Sequence, residues 1–404
     1  MKTSLCLLLV IAFGVGGANA CTSAVVSGKA TRDGRPLLWK HRDSEFEHNK
    51  LRYFRGPSYD FIAVVNSDTL EDEAWVGSNS AGFSIMNTVA YNLNVGVKPT
   101  VPEDQEGIFM RDALGSCASV ADFRKMLDST RGTRGVAANF GVFDARGGAA
   151  FFEVGFATDL MYDANDTAVA PDGYIVRTNF ALSGDKEHAR GTIRCATACE
   201  LFAEEFAKNR LSVEFILTAD RNMRHALLRN DLLSGPLPAD TTAPHFVPFR
   251  DYIVRNTTTS TMIVEGVKSG EDPRLTTLWT LLGFPLTTIV TPVWVAGGAS
   301  LPRVTLSVDG KRSPINESSL RRKPRCFPSA MDNGYDYLDL SAVANARGTG
   351  FIQVLLPKVG AIIAETRRVQ EKMRRGGFDR SMVDTFTAWL DGYVTTVYST
   401  LYGL

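Results

Sequence analysis

Hydrophobic and polar positions along residues 21–163 predict mainly strands, with one helical interval. Thr22-Ser23-Ala24-Val25-Val26 forms a first strand and Pro36-Leu37-Leu38-Trp39-Lys40 a second. The turn Arg32-Asp33-Gly34-Arg35 joins them into a hairpin, with glycine where the backbone needs positive φ. Phe61 to Asn66, Ala74 to Val76 and Phe83 to Asn87 continue the strand pattern. Met110 to Ser116 and Ser119 to Asp128 read as helices, the second opened by Ser119 and Asp122 in capping-box spacing. Strands return at Asn139–Phe143, Ala150–Val154 and Asp159–Tyr162.

Beyond this, Tyr174 to Asn179 predicts a strand and Thr192 to Lys208 a long helix, followed by helical character over 212–231. Four prolines and the pair Thr241-Thr242 make 234–250 a loop. Strands are expected at Tyr252–Arg255 and Thr261–Val267, and two closing helices at about Ile362–Met373 and Ser381–Tyr402. Runs of strands flanked by runs of helices imply a layered α+β domain, without internal repeats. No charged residue occurs from Leu275 to Pro302, which invites a transmembrane reading. Pro285, Pro292 and six threonines favour buried sheet there instead.

The first twenty residues read as a secretory signal. Lys2 is the positive start, Leu5 to Phe13 the apolar stretch, and Ala18-Asn19-Ala20 the cleavage pattern. The mature chain is therefore expected to run from Cys21 to residue 404 as one domain, secreted or periplasmic, with no integral membrane segment. Basic and acidic residues number 44 each, so charge gives no reason to expect nucleic acid or an anionic membrane as partner. A small molecule is the expected partner, and homo-oligomerisation stays open. Five cysteines remain after the signal: Cys21, Cys117, Cys195, Cys199 and Cys326. Cys195 and Cys199 stack on one face of a helix, where packing is expected rather than metal binding. The histidines are scattered and zinc-site spacing is absent, so no metal or cofactor is expected. Asn165, Asn256 and Asn316 open glycosylation sequons.

A cysteine directly after a cleavage site has three readings: a lipid anchor, a structural strand residue, or an N-terminal nucleophile. Alanine and asparagine ahead of it fit a lipid-anchor signal poorly. In the third reading, cleavage frees an α-amine with an ordinary pKa of about 7.7–8.0. That amine takes the thiol proton, so one residue supplies nucleophile and base. The thiolate attacks a carbonyl, forms a thioester and releases an amine, while the oxyanion needs hydrogen-bond donors.

Cys21-Thr22-Ser23-Ala24-Val25-Val26, the turn at Asp33-Gly34 and Leu38-Trp39-Lys40-His41-Arg42-Asp43 resemble the opening of the choloylglycine hydrolase and penicillin acyltransferase-like linear amide C–N hydrolases. Lys40 stands where many members carry arginine, and His41 where asparagine is usual. Gly77-Ser78-Asn79-Ser80-Ala81-Gly82 resembles the family's G-x-N-x-x-G segment, and Val176-Arg177-Thr178-Asn179 its T-N strand end. The resemblance implies the four-layer αββα sandwich of N-terminal-nucleophile hydrolases. It implies Cys21 as nucleophile, Asp43 beside its amine, Asn87 and Asn179 on the oxyanion, and Arg194 in support. The competing choice for the arginine is Arg190. Lys40 and Asn79 are expected to meet substrate. A regular strand would point Lys40 and Asp43 to opposite faces, so a bulge near His41 is expected. Water as acceptor gives a hydrolase of N-acyl amino acids, bile-salt-like or related amides. An amine acceptor gives an acyltransferase, and a lipid-anchored binding domain is the non-enzymatic alternative.

Overall fold

A hairpin of β1 (Ala20–Val26) and β2 (Leu37–Asp43) forms the centre of the molecule, with every residue of both strands buried. The computed structural model describes residues 20–68, 73–306, 311–329 and 331–402. Of the signal expected over residues 1–20, residues 1–19 lie outside the described residues and Ala20 opens β1. The central strands read as apolar or mixed runs because both of their faces are covered.

The chain then builds a meander of β3 (Asn49–Phe54), β4 (Phe61–Asn66), β5 (Val76–Asn79) and β6 (Ser84–Val89). After helices α1 (Glu106–Ser116) and α2 (Val120–Ser129) it adds β7 (Ala138–Phe143), β8 (Ala149–Val154) and β9 (Asp159–Asp163). These seven strands pair antiparallel in chain order. Next come β10 (Tyr174–Arg177), α3 (Thr192–Ala207), α4 (Val213–Ala219), and the short strands β11 (Arg224–His225), β12 (Asn230–Asp231) and β13 (Phe246–Pro248). Strands β14 (Thr258–Glu265), β15 (Thr277–Leu282) and β16 (Thr291–Trp294) complete a second sheet, ordered β10-β1-β2-β14-β15-β16. The chain closes with α5 (Pro314–Leu320), α6 (Lys323–Cys326), β17 (Tyr337–Asp339), α7 (Leu340–Val343), α8 (Phe351–Gly376) and α9 (Arg380–Tyr402).

The two sheets stack face to face, β1 and β2 of one lying on β6 and β7 of the other. Helices α1 and α2 cover the outside of the meander through Phe109 and Phe123, which pack on Phe83, Phe140 and Phe152. Helices α3 and α4 cover the outside of the other sheet, where Trp39 stacks on Phe202. Helix α8 joins that layer through Gln370, which donates to Glu265 at 2.9 Å and to Thr277 at 2.8 Å. The result is the αββα sandwich.

The capping box at α2 forms as its spacing implies, Ser119 Oγ accepting from the Asp122 N–H at 3.1 Å. The Leu275–Pro302 segment carries the buried strands β15 and β16 joined by turns, and among the described residues no helix is long and apolar enough to cross a membrane. Several expectations are corrected. Residues 212–231 are helical only over α4, and a two-residue ladder then pairs Arg224 with Asp231. Tyr252–Arg255 is not a strand but leads into the turn in which the Thr258 N–H donates to the Arg255 carbonyl at 2.9 Å. Strand β3, with its short alternating run, was not foreseen. Helix α8 starts eleven residues before Ile362, at Phe351, because Pro357 lies inside the helix rather than before it. Asn316 is fully buried, so its sequon is not accessible in the folded chain.

Candidate active site

Cys21 occupies the second position of β1, directly across from Arg42 in the register, while Ala20 lies across from Asp43. Residues paired across an antiparallel ladder share a face. Cys21, Lys40 and Arg42 therefore point between the sheets, while Trp39 and His41 point at the α3–α4 layer. Cys21 helps line a cavity of about 350 Å³ with Lys40, Arg42, Asp43, Trp75, Asn87 and Glu106 among its walls. Larger cavities, of about 460 Å³ beside Arg374 and about 810 Å³ beside Asn94, do not reach Cys21.

The Cys21 N–H donates to Asn179 Oδ1 at 2.8 Å. Arg194 reaches from the start of α3 and donates to the Cys21 carbonyl at 2.8 Å, to Thr22 Oγ1 at 3.0 Å and to Asn179 Oδ1 at 2.9 Å. Arg190 is exposed and meets Asn179 through a backbone bridge, so the arginine whose side chain reaches Cys21 is Arg194. Asn179 Nδ2 donates to the Val89 carbonyl at 3.0 Å. These partners turn its oxygen toward the Cys21 nitrogen.

Lys40 and Asp43 do point to opposite faces of a regular β2. Both still line the cavity, because it opens where the strand ends. The irregularity lies in β14, where the register steps from Thr258 opposite Asp43 to Ser260 opposite Arg42, leaving Thr259 as the extra residue. The bulge expected near His41 in β2 is thus on the neighbouring strand. Asp43 accepts from Thr258 Oγ1 at 2.7 Å and from Arg255 Nε at 2.8 Å.

Lys40 Nζ donates to Asn87 Oδ1 at 2.5 Å and to the Trp75 carbonyl at 2.9 Å. Arg42 donates to Asn49 at 2.5 Å and Asn66 at 2.9 Å, and its guanidinium lies 4.7 Å from the centre of the Trp75 ring. All of these oxygens are neutral. Burial pulls the Lys40 amine down to about 8 and the Arg42 and Arg194 guanidiniums to about 10. Lys40 and Arg42 are the cations of this cavity, whose walls also carry Asp43, Glu45, Glu73, Asp104 and Glu106.

Asn79 does not join this group. Its Nδ2 donates to the Leu114 and Cys117 carbonyls at 2.8 and 2.7 Å, and its Oδ1 accepts from the Ala81 and Phe83 N–H groups. It fastens the β5–β6 turn to the end of α1, away from the cavity, which corrects its expected contact with substrate. Arg42, Trp75, Glu106, Arg255 and Thr258 were not singled out from the sequence. Arg42 was visible by parity, since it shares the face of Lys40. Arg255 and Thr258 had no local signal. Cys195 and Cys199 lie on α3 away from the cavity walls, and the five described cysteines are free thiols.

Glu106 is buried at the start of α1, where its Oε1 accepts from the Ala137 N–H at 2.8 Å. Burial pushes its carboxyl up to about 7 from 4.5. The folded chain therefore binds this proton more tightly than the unfolded chain does. Its contribution is complete below pH 4.5 and is lost as pH rises through about 7. Glu106→Gln keeps the acceptor and removes the charge. Its melting temperature should match that of the parent near pH 4.5 and exceed it increasingly up to pH 8, by a few degrees. Calorimetry across that range checks this, and a gap that is constant with pH would refute it.

No protein-family model matches the chain, and no curated protein matches it. Among solved structures, the chain is similar to the Caenorhabditis elegans N-acylethanolamine-hydrolyzing acid amidase ortholog, at 14% identity over 60% of this chain and 92% of that one, with a TM-score of 0.36. It is similar to penicillin V acylase from Agrobacterium tumefaciens at 11% identity, over 68% of this chain and 86% of that one, with a TM-score of 0.34. A mutant of the conjugated bile acid hydrolase from Clostridium perfringens gives 11% identity, 68% and 92% coverage, and a TM-score of 0.37. Identities of this size leave the roles of residues to be judged from the site itself.

Proposed function

We propose that the chain, once it begins at Cys21, is an exported N-terminal-nucleophile enzyme of the linear amide C–N hydrolase kind, cleaving a small polar N-acyl amide through a thioester. The observation that carries this reading is the Cys21 nitrogen, held 2.8 Å from Asn179 Oδ1 where its own side chain enters the cavity. An amine donating one hydrogen to Asn179 keeps its lone pair for the thiol proton. The thiolate then adds to the amide carbonyl. Lys40 occupies the Asn87 oxygen, so Asn87 Nδ2 is the end available to donate to the oxyanion. Collapse breaks the C–N bond, and the proton taken from the thiol leaves with the amine. Water attacks the thioester, releasing the acid and restoring the thiol. Asp43 lies where the residue ahead of Cys21 pairs, so its carboxylate meets the new amine and stabilises its protonated form. Arg194 positions Cys21 by its carbonyl and acts as a positioning residue. No cofactor enters these steps.

Lys40 and Arg42, which hydrogen-bond to the oxygens of Asn87, Trp75, Asn49 and Asn66, are the groups in the cavity that support a substrate with a carboxylate. N-acyl amino acids satisfy this. The modest cavity, of about 350 Å³, favours them over the bulkier bile-salt conjugates. A thiol that is only 6% exposed inside a sheet also speaks against a lipid anchor. The test is a panel of N-acyl amino acids, conjugated bile salts and penicillins, given to protein shown by mass to start at Cys21. Amine release should be fastest from N-acyl amino acids. No release from any member would overturn the function. An acyl product on an added amine would make the enzyme a transferase.

A further inference from the structure

Behind the nucleophile, a chain of buried polar groups runs from the helical layer to Asp43, and His41 is its middle link. The His41 side chain is fully buried, with Nδ1 3.0 Å from Asp220 Oδ1 and 3.1 Å from Thr261 Oγ1. Its Nε2 is 3.2 Å from Thr258 Oγ1. Asp220, just past α4, also accepts from Trp39 Nε1 at 2.7 Å, which fixes the carboxylate in place. Thr258 Oγ1 accepts the Arg255 N–H at 3.0 Å and donates to Asp43 at 2.7 Å.

Counting hydrogens decides how this chain operates. A bare Nδ1 would set its lone pair against the Asp220 carboxylate at 3.0 Å, so Nδ1 carries a hydrogen. Thr258 has a single hydroxyl hydrogen. While that hydrogen goes to Asp43, Nε2 must donate to Thr258, and the ring is then an imidazolium. If the ring loses its Nε2 hydrogen, the bare nitrogen competes with Asp43 for the hydroxyl of Thr258. The charged groups facing this arrangement are Asp220 and Arg221 after α4, Asp43 on β2, Arg255 before β14, and Arg194 on α3.

We propose that His41 is a positioning residue, held as an imidazolium between Asp220 and Thr258, whose proton keeps the Thr258 hydroxyl on Asp43 and so keeps Asp43 set against the Cys21 amine. This rests on the reading of Cys21 as an N-terminal nucleophile. It goes beyond that reading by giving the strand's outward-facing residue a part in the reaction.

The test uses the chain starting at Cys21, with His41→Gln, Thr258→Val, Thr258→Ser and the double variant His41→Gln/Thr258→Val. Each of the first two should lose about tenfold in kcat with KM unchanged. The double variant should be no slower than the poorer single, because both cut one chain. Thr258→Ser should recover most of what Thr258→Val loses. Losses that multiply to about a hundredfold in the double variant would overturn the proposal. If His41→Gln does not fold, the Thr258→Val and Thr258→Ser pair carries the kinetic test. Nitrogen NMR of the His41 ring in a Cys21→Ala chain needs no turnover. Two protonated ring nitrogens at neutral pH are expected, and one bare nitrogen would overturn the proposal. Turnover surviving in Cys21→Ala would instead sink the nucleophile reading, so the two failures are told apart.

Discussion

Cys21→Ser is expected to reduce amide hydrolysis by about four orders of magnitude while the melting temperature stays within a few degrees of the parent. A serine hydroxyl fills nearly the same space and keeps the backbone bonds to Asn179 and Arg194. What it lacks is the acidity and nucleophilicity of the thiol, and its shorter bond sets the oxygen back from where the sulfur stands. The loss should therefore fall on kcat, with substrate binding retained through Lys40 and Arg42. Steady-state rates on the best N-acyl substrate, with calorimetry on the same preparations, check both halves. Rates within tenfold of the parent would remove the thiol from the mechanism.

The second large effect concerns the residue ahead of the nucleophile. A chain that keeps Ala20 should show no more than about a thousandth of the activity of one starting at Cys21. With Ala20 attached, the Cys21 nitrogen is a planar amide whose lone pair is delocalised, so it cannot accept the thiol proton. Ala20 is also only 5% exposed and pairs with Asp43 at the end of β1. It therefore fills the place where Asp43 would meet the freed amine. Two preparations made from a cleavable leader, one beginning at Ala20 and one at Cys21, separate the cases once intact mass confirms each start. Equal rates would rule out the α-amine as base.

The two expectations draw on different levels of the protein. That Cys21 follows Ala18-Asn19-Ala20, and that it opens an apolar strand turned back by Asp33-Gly34, is local and was legible in the residues themselves. The same holds for Ser119 capping α2 and for the threonine-rich, charge-free run that folds as β15 and β16. Strand ends were less legible. Strands β1, β2 and β4 are buried on both faces, so period-two alternation, the signal that fixes a strand's facing, is muted in them. Helix α8 runs from Phe351 to Gly376, past Pro357, well beyond the Ile362–Met373 expected, because tertiary packing carries it further than its local pattern.

The site was legible in part and for a specific reason. Cys21, Asp43, Asn87, Asn179 and Arg194 come together, but the direction in which each amide faces does not follow from its type. Asn179 is turned by Arg194 and Val89, and Asn79 is claimed entirely by the end of α1. Arg255 and Thr258, more than 200 positions from Asp43, reach it only because β14 pairs with β2 and carries an extra residue at Thr259. By itself the chain of residues determined the hairpin that bears Cys21 and the layered class of the fold. The tertiary structure alone decided which groups touch Cys21. Sheet register and the packing of helices on sheets set those distances, and both depend on contacts between segments far apart in the chain, which no local pattern encodes.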